Sequence, residues 1–177
     1  MDRNVLVIAG SPRKGGNSDR LCDAFIKGAQ EAGCDTEKIY AQDLQMAGCR
    51  ACYGCRGTGR CVIRDDMAQV LEKMIAADVI VLATPVYFYS LAGQLKVLID
   101  RTLPRYTEIR DKDFYFIVTA ADENDRLERT MDALAGFTDC LPGAKVKGKI
   151  YGGGFYLPGA VTGSAAEQEA FDLGRKV

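Results

Sequence analysis

Five short β-prone runs, Val5–Ala9, Thr36–Tyr40, Val79–Ala83, Phe114–Thr119 and Val146–Tyr151, alternate along the chain with longer stretches of helical apolar periodicity. That alternation predicts βαβ units wound around a parallel sheet. The first, third and fourth runs are almost wholly apolar, as strands covered on both faces are, and the second reads as an edge. Between them, Leu21, Phe25, Gly28 and Ala32 form one helical stripe, closing at Gly33, a residue suited to a left-handed C-terminal cap. Met67, Leu71, Met74 and Ile75 form a second stripe, Leu91, Leu95, Leu98 and Ile99 a third, and Leu127, Met131 and Leu134 a fourth. Each reads as a buried core face. Ser164, with Glu167 three residues on, predicts a capping box at the start of a last helix.

At 177 residues the chain suits one α/β domain over positions 1–177. Its 23 Lys and Arg nearly balance its 24 Asp and Glu, so nothing in the charge pattern points to nucleic acid or an anionic membrane as partner. With no apolar span and no charged leader before a cleavage site, a cytoplasmic protein is expected.

One connection departs from the short-loop pattern. Residues 41–64 separate the second strand from the second helix, beyond the ~12–15 residues typical of structureless loops. This segment holds Cys49, Cys52, Cys55 and Cys61, four of the chain's seven cysteines, spaced C-x2-C-x2-C-x5-C. In a reducing compartment clustered cysteines bind metal or do redox chemistry more often than they form disulfides. Cys22, Cys34 and Cys140 are scattered and read as small buried hydrophobes. Histidine is absent, which removes Cys-His and Ser-His catalysis and every histidine-containing metal site. No catalytic side chain is assigned, and the chemistry is expected to belong to a cofactor.

The first βα turn, Gly10–Ser18 (GSPRKGGNS), can cradle a phosphate. Its glycines let the backbone approach closely, unpaired amides open the helix, and Ser11, Arg13, Asn17 and Ser18 add donors. It is not a Walker loop, because Gly16 and Asn17 stand where lysine and serine would be needed, and the dinucleotide fingerprint is missing as well. An ordinary glycine-rich turn would read the same way. Phosphate contacts alone anchor a ligand weakly, so the crevice needs a second wall. In a doubly wound sheet of order 2-1-3-4-5 that wall follows the third strand. There Pro85 stiffens the exit, and Tyr87, Phe88 and Tyr89 offer aromatic faces, or simply pack a helix onto the sheet.

These residues resemble the flavodoxin-like NAD(P)H-dependent FMN reductases and, within them, the iron–sulfur flavoproteins. The resemblance rests on GSPRKGGNS, TPVYFYSLAGQLKVLIDR and CRACYGCRGTGRCVIRDDM and spans most of the chain. It implies a flavodoxin-like three-layer α/β/α sandwich with a five-stranded parallel sheet of order 2-1-3-4-5. It implies that Ser11, Arg13, Asn17 and Ser18 hold an FMN phosphate, that Pro85, Val86, Tyr87 and Phe88 contact the isoalloxazine, and that Ala120 and Ala121 approach its other side. The four clustered cysteines look like the compact set by which iron–sulfur flavoproteins hold a 4Fe-4S cluster, beyond the carboxyl end of the edge strand and on the FMN side. Gly54, Gly57 and Gly59 would bend the loop, and Arg50, Arg56, Arg60 and Arg64 would offset cluster charge. Zinc and unligated thiols remain alternatives.

The implied activity is an FMN-dependent oxidoreductase using NAD(P)H, working as a homodimer or homotetramer. Three alternatives stand beside it: an electron carrier with FMN and a 4Fe-4S cluster linked to a ferredoxin-like donor, a flavodoxin-like shuttle with no substrate of its own, and a non-enzymatic zinc-binding interaction module.

Overall fold

In the computed structural model, residues 3–177 are described. Five parallel strands, β1 (Asn4–Ala9), β2 (Asp35–Tyr40), β3 (Val79–Tyr87), β5 (Asp113–Thr119) and β6 (Lys145–Gly152), lie in the order β2-β1-β3-β5-β6. Numbered among the parallel strands alone, this is the 2-1-3-4-5 order, and each neighbouring pair is parallel. A sixth strand, β4 (Ser90–Leu91), pairs antiparallel with the end of β3 through Val86–Leu91 and Tyr87–Ser90. The sheet therefore has six strands rather than five. The reason lies in Phe88 and Tyr89, at φ +50° and +60°, which close a two-residue hairpin in the left-handed region. Such hairpins usually carry Asn or Gly, so this pair hides the turn. Leu91 belongs to this hairpin, and the helix that follows, α3 (Gly93–Asp100), starts later than its apolar stripe suggests.

Alternation along the strands builds two cores. Leu6, Ile8, Ile80, Leu82, Phe114 and Phe116 face α2 (Met67–Ala76), α3 and α4 (Glu128–Thr138), while Val5, Val7, Val79, Val81, Tyr115 and Ile117 face α1 (Asn17–Glu31) and α5 (Ala165–Gly174). Three layers result, with the central strands β1, β3 and β5 buried on both sides. α1 and α5 pack so closely that a Cβ on Gly28 would collide with the Phe171 carbonyl, and one on Gly174 with that of Phe25. α1 ends in a Schellman turn: Gly33, at φ +85°, donates its N–H to the Gln30 carbonyl, and Cys34 donates to that of Ala29. At the start of α5 the Ser164 hydroxyl accepts from Glu167 N at 3.3 Å, but the Glu167 carboxylate reaches back one residue further, to Gly163 N at 2.6 Å. No helix among the described residues is long and apolar enough to cross a membrane.

Candidate functional site

The carboxyl ends of β1 and β3 meet at the switch point of the winding. Gly10 N donates to the Ala83 carbonyl at 2.7 Å, and a Cβ on Gly10 would stand 2.8 Å from that oxygen and 2.9 Å from Leu95 Cβ. Only glycine permits this approach, which sets the phosphate-cradle turn against the segment leading into α3. Within the turn, Ser11 and Ser18 are buried and Arg13 is exposed. The Ser11 hydroxyl accepts from Arg13 N at 3.1 Å. Gly16 occupies the N-cap of the 15-residue α1 and has no side chain to offer its amides. The positive end of that helix is thus left for an anion.

Asp19, in the first turn of α1, works on the cradle from behind. Its carboxylate accepts from Gly15 N at 2.7 Å and pairs with Lys38 at 2.8 Å. Burial opposes its ionisation, but the Lys38 ammonium and the Gly15 amide outweigh that and hold the carboxyl below the usual range. Lys14 pairs with Asp43 at 2.6 Å and lies 4.7 Å from the centre of the Tyr40 ring.

Asn17 has a different setting from the one its sequence position implies. Its Nδ2 donates to the carbonyls of Phe155 and Leu157 at 3.1 and 3.0 Å, and its oxygen accepts from Val161 N at 3.3 Å. Asn17 therefore fastens the loop after β6 onto the start of α1. Sequence reading overlooked this loop, although its GGGFYLPG run is a signal of the same kind as the first turn.

The second wall is the β3–β4 hairpin. Pro85 and Val86 are half-buried, Tyr87 is exposed and Phe88 is fully exposed at the tip. The buried Thr84 hydroxyl donates to the Pro85 carbonyl at 2.8 Å and accepts from Ala92 N at 2.9 Å, fixing the hairpin base to the start of α3. Ala120 is engaged with the chain beyond β6, its N–H donating to the Gly152 carbonyl and its own carbonyl accepting from Phe155 N; Ala121 is exposed.

The cysteine loop spans residues 41–66, and its ends are stitched together by two aspartates. Asp66 accepts from Gln45 N at 2.7 Å, and Asp65 accepts from Ala47 N and Met67 N at 3.1 and 3.2 Å. Cys49, Cys52, Cys55 and Cys61 all line one small cavity of about 20 Å³, together with Val62, Leu103, Pro104 and Arg101. The loop bends at Gly57 and Gly59, but also at Ala51 and Tyr53, at φ +50° and +55°. Gly54 instead gives room, since a Cβ there would press on Val62. Among the described residues no three His, Cys, Asp or Glu side chains are grouped to hold a single ion. The cavity sits at the C-terminal end of α3, whereas the hairpin sits at its N-terminal end. Eight residues of helix, roughly 12 Å, separate them. Arg101, just past the C-terminal end of α3, ties the loop there through Ala47, Ile63 and Asp65.

Arg50, Arg56, Arg60 and Arg64 are all exposed, and Arg56 lies over the Tyr53 ring at 4.0 Å. The buried arginine is Arg101, which sequence reading missed, although it ends the quoted LIDR run. Its guanidinium grips Asp65 at 2.7 and 2.9 Å and donates to the Ala47 carbonyl at 2.6 Å. Burial opposes Asp65 ionisation, yet Arg101 and two backbone amides hold its carboxyl low. Of the scattered cysteines, Cys22 is wholly buried, and burial pushes its thiol far up. Cys34 is half-buried, and Cys140, just past the end of α4, is exposed rather than buried, its thiol donating to the Gly136 carbonyl at 3.4 Å.

Residues 3–154 match the model of the NADPH-dependent FMN reductase family. Over 96 residues the chain is 44% identical to an iron–sulfur flavoprotein of Methanosarcina thermophila, covering 54% of this chain and 50% of that protein. It is 36% identical over 135 residues to an iron–sulfur flavoprotein of Methanocaldococcus jannaschii, covering 75% and 70%. The chain thus spans about half the length of the first of these relatives. The fold is shared with an azoreductase from Bacillus anthracis, with a TM-score of 0.75 at 16% identity and full coverage of both chains. The chain belongs to the NADPH-dependent FMN reductase family and, within it, to the iron–sulfur flavoprotein branch.

Proposed function

We propose that this protein is an FMN-dependent oxidoreductase that moves electrons from a reduced donor to an acceptor through one flavin. The observation carrying this reading is the meeting, at the switch point, of an uncapped 15-residue helix with a strained aromatic hairpin. The residues fit FMN. Ser11, Ser18 and the α1 amides would hold the phosphate, Arg13 would add charge from the exposed side, and Pro85–Phe88 would meet the ring. Asn17 acts at one remove, by holding the Phe155–Val161 loop against the site. When bound, FMN supplies hydride and single-electron chemistry, and the protein contributes binding, orientation and exclusion of water. NAD(P)H is the donor implied by the family, and a homo-oligomer is the working form.

A second reading adds a 4Fe-4S cluster on Cys49, Cys52, Cys55 and Cys61 and a ferredoxin-like donor. It is favoured by the single cavity lined by all four thiols and by the names of the relatives. Bound there, the cluster would supply one-electron exchange.

Anaerobic purification followed by a visible spectrum and iron, sulfide and zinc analysis separates these readings. Flavin bands that bleach with NADPH support the reductase. Flavin bands over broad absorption with about four irons per chain support the cluster-bearing carrier. A flavin that NADPH does not bleach, without iron, would leave a simple shuttle. A colourless protein containing zinc overturns both flavin readings.

A further inference from the structure

Arg101 is 2% exposed and, among the described residues, the largest fully buried side chain. A guanidinium has five N–H donors. Four are directed at Asp65, the Ala47 carbonyl and, at 3.5 Å, the Ile63 carbonyl. The fifth, on Nε, has no partner among the described residues. Leaving a buried charged donor unpaired is costly, so an acceptor is to be sought nearby. Arg101 lines the same cavity as the four cysteines, and it raises the question of which sulfur it serves. Of the four cysteines, Cys61 alone also lines a second, larger cavity together with Arg101. Arg101 therefore faces two ways, toward the carboxylate that closes the loop and toward the thiols inside it.

We propose that Arg101 is a positioning residue of the cysteine cavity, clamping the loop through Asp65 with its terminal nitrogens and donating its Nε hydrogen to a sulfur at Cys61 or on the cluster. This rests on the reading of Cys49, Cys52, Cys55 and Cys61 as cluster ligands. Reduction adds one electron, and so one negative charge, to the cluster. A buried N–H donor and cation beside its sulfur stabilise that added charge and raise the reduction potential. Exposed arginines on the loop act through water and salt and contribute far less.

The test uses the anaerobically purified full chain, titrated with dithionite as one-electron reductant. Cluster reduction is followed by electron paramagnetic resonance, and iron and FMN per chain are measured in parallel. Arg101→Lys keeps the charge but loses the fork, and Arg101→Gln loses both. The expected result is near-normal FMN, retained iron in Arg101→Lys and a more negative midpoint potential, shifted further in Arg101→Gln. Asp65→Asn removes the clamp and a nearby negative charge while leaving Nε in place, so its potential moves the opposite way or stays. Iron-containing Arg101 variants with the wild-type potential overturn the proposal. So does iron loss in Arg101→Lys equal to that in Asp65→Asn, which would assign Arg101 to the clamp alone. A wild-type chain that takes up no iron overturns the cluster reading itself, a result distinguishable from either.

Discussion

Asn17 donates its side-chain amide to the carbonyl of Phe155 at 3.1 Å, joining the first turn of α1 to the loop after β6. With the bonds to Leu157 and Val161, one side chain makes three links to residues 155–161. Asn17→Ala is expected to destabilise the protein by about 1–3 kcal/mol. Amide exchange should accelerate between residues 155 and 161. Denaturant unfolding and hydrogen exchange check this, and unchanged exchange in that segment would contradict it.

Arg13 separates binding from stability. Its side chain is exposed, so Arg13→Ala should leave the melting temperature of the flavin-free protein unchanged. Losing a charge-assisted contact to phosphate should weaken FMN binding roughly tenfold to a hundredfold. Titration followed by flavin fluorescence reads the second effect, and unchanged affinity removes Arg13 from the phosphate site.

Phe88 combines full exposure with a left-handed backbone, a pairing with no folding advantage. An L-residue held there carries a strain of roughly 1–2 kcal/mol, which asparagine bears more easily. Phe88→Asn should hold or raise the melting temperature of the flavin-free protein while lowering its affinity for FMN. Lower stability with normal binding would instead make Phe88 a packing residue.

Asp19 and Asp65 set the acid limit of stability. In both, burial opposes ionisation and partners outweigh it, so each carboxyl is lowered in the folded state. The folded protein then binds these protons less readily than the unfolded chain does. The resulting stabilisation is complete above the ordinary carboxylate range near pH 4 and is lost as pH falls through the lower folded values. Denaturant midpoints from pH 6 to pH 2 should fall across that window, and Asp65→Asn should flatten part of the fall. An unaltered slope in that variant would show that Asp65 is not held low.

Much of this arrangement is legible in the residues. The first, third and fourth parallel strands follow from apolar runs buried on both faces, and the α1 terminus from Gly33. The β3–β4 hairpin escapes such reading because its turn carries Phe and Tyr where the backbone favours Asn or Gly. Arg101 escapes because sequence gives its charge and not its burial; an arginine after an apolar helix reads as surface until the Asp65 partner is seen. The setting of Asn17 is lost for a related reason. Its partners are backbone carbonyls far along the chain, and no local pattern announces them.

The proposed function requires one crevice, at the switch point, to take one flavin. Titrating the flavin-free protein with FMN, and following quenching of flavin fluorescence, tests it most directly. Saturation at one FMN per chain, weakened by both Arg13→Ala and Phe88→Asn, is the expected result. A folded protein that leaves FMN fluorescence unquenched at every ratio would contradict it.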